Sequence, residues 1–225
     1  MSTTTMVRSD VDIQRDLLAE LEWEARVESG GIGVSVRSGI ATLTGRVDSY
    51  AEKWAAERTA HRIRGVRALA NDIEVRLPGA HERADPDIAT AASRALEWDA
   101  FVPTDQVQVT VANGWVTLRG EVERGFERRA AERDVRRLTG VRGVTNLVAV
   151  RPVDGISPDE VRRDIRSALA RTADVDAELI HVDVQGRTVV LSGEVRSWIE
   201  RDGAERAAWG APGVCEVEVR LTLAS

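Results

Sequence analysis

The chain has 225 residues, of which 43% are hydrophobic and 30% charged; 31 basic and 37 acidic side chains leave a formal net charge of −6. The apolar fraction excludes wholesale disorder, the charge excludes double-helical nucleic acid as an evident partner, and no apolar run approaches the roughly 18 residues of a membrane-crossing helix. The lone cysteine, Cys215, excludes an intrachain disulfide and a thiolate metal centre.

From the N-terminus, residues 1–9 contain no apolar signal region, so a cytoplasmic location is expected, extending to a peripheral position at the membrane. An amphipathic helix follows, with Ile13, Leu17 and Leu21 at i, i+4 and i+8. The Gly30, Gly31 and Gly33 run comes after this helix and before a strand. That order is wrong for a phosphate loop, so a flexible turn is expected. Ile32, Val34 and Val36 alternate with polar residues, and Ala41, Leu43 and Val47 mark a second strand. Ser49 and Glu52 form a capping-box signal for a second helix. Gly65 marks its left-handed end, and a last strand is expected over 68–76.

The same series then recurs. Gly45, Gly120 and Gly193 each sit in an L-x-G-x-V strand, spaced 75 and 73 residues apart. An E-x-x-x-A-E-R segment begins at Glu52, Glu127 and Glu200, and a Gly-Val pair follows at Gly65, Gly140 and Gly213. Helices repeat at Ile88, Ala92, Leu96 and at Val161, Ile165, Leu169, the last opened by Ser157 and Pro158. Asn113 and Gly114 give the clearest hairpin turn. Last strands are expected over 144–151 and 214–223. The chain is read as three modules, 8–77, 85–152 and 157–225, joined by short Pro- and Gly-containing linkers at 77–85 and 151–157. The fold class is α+β: three tandem αββαβ modules, each a three-stranded mixed sheet with two helices on one face.

This order, with the L-x-G-x-V strand, the E-x-x-x-A helix and a G-V-x-x-V-x-N strand ending at Asn71 and Asn146, resembles the BON domain. Module three departs: Val219 replaces the asparagine, and Pro212 precedes its glycine, so its last turn is expected to differ. The resemblance implies a non-enzymatic domain that binds phospholipid or membrane surfaces. It also implies occurrence in osmotic-stress proteins, in secretin- and channel-associated proteins and in a potassium-binding cytosolic protein.

The residues offer little chemistry. His61, His81 and His181 lie in different modules without a partner at ligand spacing, and are read as surface histidines. Cys215 is read as a buried, inert thiol. No catalytic residue, metal site or cofactor is expected.

The informative feature is the outer face of the second helix. In module two it carries Arg129, Arg133 and Arg136 at i, i+4 and i+7. The equivalent positions are Trp54, Arg58 and His61 in module one, and Asp202, Arg206 and Trp209 in module three. One reading makes Arg129, Arg133, Arg136, Trp54, Arg58, Arg206 and Trp209 an exposed surface for an anionic membrane or a protein partner. The other packs Trp54 and Trp209 between modules and pairs the arginines with Glu123, Glu132 and Asp134. A small-cation sensor and a homo-oligomer remain further alternatives. Trp23 and Trp98, at equivalent helix ends, are expected to pack in the cores, with a paired contact surface as the alternative. Trp115, on a polar strand face, is expected at a contact between modules or chains, and Trp198 is expected to be partly buried.

Overall fold

A computed structural model describes residues 8–151, 156–172 and 175–224; most of the second linker and the chain ends lie outside the described residues. Module one comprises α1 (Asp10–Trp23), β1 (Ile32–Arg37), β2 (Ile40–Val47), α2 (Tyr50–Arg62) and β3 (Ala68–Val75). Module two repeats this with α3 (Asp85–Trp98), β4 (Val107–Ala112), β5 (Trp115–Val122), α4 (Gly125–Val135) and β6 (Gly143–Val150). Module three has α5 (Pro158–Arg171), β7 (Ile180–Gln185), β8 (Thr188–Val195), α6 (Trp198–Gly210) and β9 (Glu216–Leu223).

In each module the middle strand pairs antiparallel with the first and parallel with the third, giving orders β1-β2-β3, β4-β5-β6 and β7-β8-β9. Both helices cover one sheet face. The core of module one contains Ile13, Leu17 and Leu21 from α1, Ala55, Ala56 and Ala60 from α2, and Leu43 from β2. Modules two and three bury the equivalent sets. Alternation along each strand places one side chain in two on that core.

The repeated motifs have structural causes. The glycine of L-x-G-x-V has φ of 113° at Gly45, 134° at Gly120 and 120° at Gly193. A Cβ at these positions would lie 2.0, 1.9 and 2.1 Å from the carbonyl oxygens of Gly31, Gln106 and Leu179. Only glycine lets the middle strand pass that close to its neighbour. Gly31 belongs to a 3-10 turn at Ser29–Gly31, so the expected loose turn is a packed contact.

In modules one and three the first glutamate of E-x-x-x-A-E-R ties the loop after the first helix to the start of the second, whereas Glu127 accepts only from the Glu123 and Arg124 amides among the described residues. Glu52 accepts from the Glu28 and Asp48 amides at 2.7 and 3.1 Å, and Glu200 accepts from the Asp176 and Arg196 amides at 2.7 and 2.5 Å. The alanine, Ala56, Ala131 or Ala204, is fully buried where helix meets sheet. The second glutamate meets the asparagine of the last strand: Asn71 Nδ2 donates to Glu57 at 2.9 Å and Asn146 Nδ2 to Glu132 at 3.1 Å. Val219 makes no such bond, and Glu205 turns to Arg201 at 3.9 Å within α6. The expected difference in the last turn is not found: Gly213 has a positive φ of 80° like Gly65 and Gly140, and β9 begins at Glu216, three residues after its glycine, as β3 and β6 do. What module three lacks is the asparagine bond alone.

Candidate functional site

Reading from each second helix outward, its first residue packs on the twelfth position of the next module's second helix. Tyr50 packs against the core of module two, and burial there raises its pKa, opposed by the Val144 amide and the Arg136 charge. Gly125 is buried beneath Trp209, and a Cβ there would lie 2.6 Å from Trp209 Cε3. Trp198 stacks on His61 with ring centroids 4.4 Å apart and planes 12° off parallel, and its Nε1 donates to the Val66 carbonyl at 2.8 Å. One contact pattern therefore runs from module one to two, from two to three, and from three back to one. Such a head-to-tail interface with three members closes into a ring. The pairs differ in kind: Gly125 makes room for Trp209, whereas Trp198 and His61 stack ring on ring.

This arrangement relocates the arginine–tryptophan stripes. Trp54 lies between Arg58 of its own helix, 5.1 Å from the ring centroid, and Arg136 of module two, at 3.5 Å. Trp209 packs on the cores of modules two and three and lies 5.6 Å from the Arg128 guanidinium carbon. Arg136 is half-buried, just beyond the end of α4, and burial lowers its pKa. Arg133 is not free: it is ion-paired with Asp99 and, at 3.2 Å, with Asp134. Arg58, Arg129 and Arg206 remain exposed and make no ion pair among the described residues. The stripes thus do not form one continuous open surface. The neighbouring modules cover Trp54, Arg136 and Trp209, because two-layer units on short linkers bury their largest aromatics against one another.

Three further expectations are corrected. Trp23 and Trp98 are not core residues; they are 84% and 87% exposed, because each follows the last buried leucine of its helix by two residues and points away from the sheet. Trp115 has its contacts within its own module. It lies over Gly143 in its own sheet and donates from Nε1 to Thr145 Oγ1 at 2.8 Å. His61 is a half-buried junction residue, not a surface histidine, and burial lowers its pKa, the larger of opposing influences that include Glu57 and Asp202 on one side and Arg201 and Arg58 on the other. Cys215 is partly buried, and burial raises its thiol pKa.

The structure adds surfaces that the sequence reading passed over. Phe101 and Phe126 form an exposed edge-to-face pair 5.9 Å apart beside the Trp98 end of α3. A cleft opens where module three meets module one, lined by Ile63 and Val66 on one side and Trp198 and Leu223 on the other. Among the described residues no group of three or more His, Cys, Asp or Glu could hold a metal ion, and no helix is long and apolar enough to cross a membrane.

The Osmotically-inducible protein Y of Escherichia coli (strain K12) is 28% identical over 141 residues, covering 61% of this chain and 70% of that protein. Among solved structures, the C-terminal domain of CdsD, the structural protein of the type III secretion system of Chlamydia trachomatis, covers 97% of this chain and 100% of its own at 12% identity, with a TM-score of 0.27. A second CdsD structure gives 13% identity and a TM-score of 0.25, covering 95% of this chain and 94% of its own. The BON domain model matches three times, at residues 9–76, 84–152 and 157–225. These matches take in nearly all the chain and follow the three αββαβ units seen in the fold, and the chain belongs to the BON domain family.

Proposed function

We propose that the protein is a non-enzymatic binding protein of osmotic stress that docks peripherally on anionic membrane surfaces from the cytoplasmic side. The osmotic assignment is supported by the resemblance to Osmotically-inducible protein Y. One observation carries the docking surface: Trp23 and Trp98, at equivalent positions in modules one and two, are 84% and 87% exposed. Equivalent positions in a three-member ring lie at one height along its axis, so the two indoles occupy one level of it. An indole is suited to a boundary with one apolar and one wet side. Arg58, Arg129 and Arg206, exposed and without ion pairs, supply attraction to an anionic leaflet at roughly 1 kcal/mol each.

The test is co-sedimentation with phosphatidylglycerol and phosphatidylcholine vesicles at low and physiological salt. Binding to the anionic vesicles alone, weakened by salt and lost in Trp23→Ser/Trp98→Ser, is expected. Equal binding by that double variant would sink the assignment. A protein partner is a second reading, favoured by the exposed Phe101–Phe126 pair. Retention of a purified partner by the double variant and its loss in Phe101→Ser would support it.

A further inference from the structure

Two of the three junctions in the ring are spanned by a linker, at 77–85 and 151–157. The third, from module three back to module one, is held by non-covalent contacts alone. A cleft of about 700 Å³ opens there between the two modules. That volume lies within the range of roughly 300–1,000 Å³ of small-molecule sites. Its apolar lining comes from both sides: Ile13, Ile63 and Val66 from module one, Trp198 and Leu223 from module three.

The rim is basic. Arg8, Arg64, Arg67 and Arg196 line the cleft, with Asp10 as the single acid. The two oxygens of Asp10 are taken by the Ser38 and Gly39 amides, at 2.7 and 2.9 Å. Arg8 is ion-paired with Asp16, and Arg196 with Asp176. Arg64 and Arg67 are exposed and have no side-chain hydrogen bond or ion pair among the described residues. The stem of Arg67 is fixed over the hairpin: a Cβ at Gly39 would lie 2.9 Å from its Cδ. At the position of Arg64, modules two and three carry Thr139 and Pro212; at that of Arg67, module three carries Cys215. This pair of unpaired guanidiniums above an apolar floor belongs to the closing junction.

We propose that the cleft binds a small amphipathic oxyanion, with its head group between Arg64 and Arg67 and its apolar body against Val66, Trp198 and Leu223, bridging modules three and one. Such a ligand supplies the acceptor that the two arginines lack. It removes apolar surface of both modules from water. It stabilises the closed ring, increasingly with ligand concentration, because an opened junction offers only half the site.

Decanoate is the probe, with decanol and acetate as controls, in calorimetric titrations of the full chain. Binding of one decanoate per chain is expected, at least ten-fold tighter than either control. Arg64→Glu/Arg67→Glu abolishes it, whereas Arg142→Glu, at the module-two counterpart of Arg67, leaves it unchanged. In nitrogen–proton spectra decanoate shifts the Val66 amide and the Trp198 indole but not the Trp23 and Trp98 indoles. That separates the cleft from the membrane surface proposed above. Equal affinity for decanol would show an apolar cavity without anion selection. Equal affinity for acetate would show surface charge alone. Either result, or full binding by the double arginine variant, overturns the proposal.

Discussion

The tryptophans of the first helices and those of the second helices have opposite fates. Trp23 and Trp98 end α1 and α3 and stand in solvent. Trp54, Trp198 and Trp209 lie on α2 and α6 and are partly buried at the junctions. Neither group fills the core of its own module alone; each core is completed by leucine, isoleucine, valine and alanine. What differs is the neighbour. The second helices face the ring interior, where another module supplies a ring or a guanidinium to stack on. The first-helix ends face outward, where nothing does. An indole on an outer helix face thus has two uses in one chain, and the geometry of the repeat decides between them.

The strongest way to break this contrast is Trp198→Ala. It removes a half-buried aromatic surface, the stack on His61 and the bond to the Val66 carbonyl. A loss of about 2–3 kcal/mol is expected. The loss falls on the one junction without a linker, so each module should keep its core while the ring opens. Denaturation should begin at lower denaturant, and small-angle scattering should show a larger radius of gyration with unchanged far-UV dichroism. An unchanged radius would mean that Trp198 does not hold the ring closed.

A smaller effect sharpens the difference between modules two and three. Asn146 bonds Glu132 at 3.1 Å and the Arg128 carbonyl at 2.9 Å, and its Oδ1 accepts from the Val148 amide at 3.2 Å. Asn146→Val gives module two the residue that module three has at Val219. It leaves those groups without their partner, at an expected cost of about 1–2 kcal/mol. A thermal melt reads the change, and a melt identical to the parent would show that the asparagine brace contributes nothing.

Within one module the sequence carries nearly everything. Periodic Ile13, Leu17 and Leu21 locate a helix and its buried face, and Gly45, Gly120 and Gly193 locate a close strand approach that no other residue permits. Asn71 and Glu57 can be matched because their spacing repeats as Asn146 and Glu132. Between modules the signal fails. A helical wheel separates the face on the sheet from the face off it, yet the face off the sheet can meet water or another module. Arg136 and Arg129 sit on the same outward stripe; one is stacked under Trp54 and the other is exposed. The pairs that close the ring were present as Gly125 and Trp209, or Trp198 and His61. They become readable only once the first and twelfth positions of the second helices are known to meet.

The closing junction also carries a pH dependence. Burial against Trp198 disfavours the charged form of His61, so its folded pKa lies below the ordinary value near 6.5. Glu57 and Asp202 oppose this, and Arg201 and Arg58 reinforce it. Above about pH 6.5 the histidine is neutral in both folded and unfolded chains and its contribution is fully present. As the pH falls, the unfolded chain takes up the proton first, and stability declines until the folded value is passed. The melting temperature should therefore drop between pH 7 and 5.5. His61→Phe, which keeps a ring against Trp198, should flatten that part of the profile. An unchanged slope would assign it to other groups.

The smallest expected effect on the fold belongs to the residues given the largest role in binding. Trp23→Ser and Trp98→Ser remove side chains that are almost fully exposed and make no ring contact or hydrogen bond among the described residues. Surface changes away from caps, cores and networks shift stability by no more than about 0.5 kcal/mol. The denaturation midpoint should stay put while vesicle binding falls. This dissociation separates a surface for an outside partner from one that completes the fold. A junction tryptophan such as Trp198 cannot show it, since its removal changes the structure before it changes any ligand. If the Trp23 and Trp98 variants instead lose stability in step with binding, these indoles are packing residues whose neighbours lie outside the chain, and the ring is a subunit of something larger.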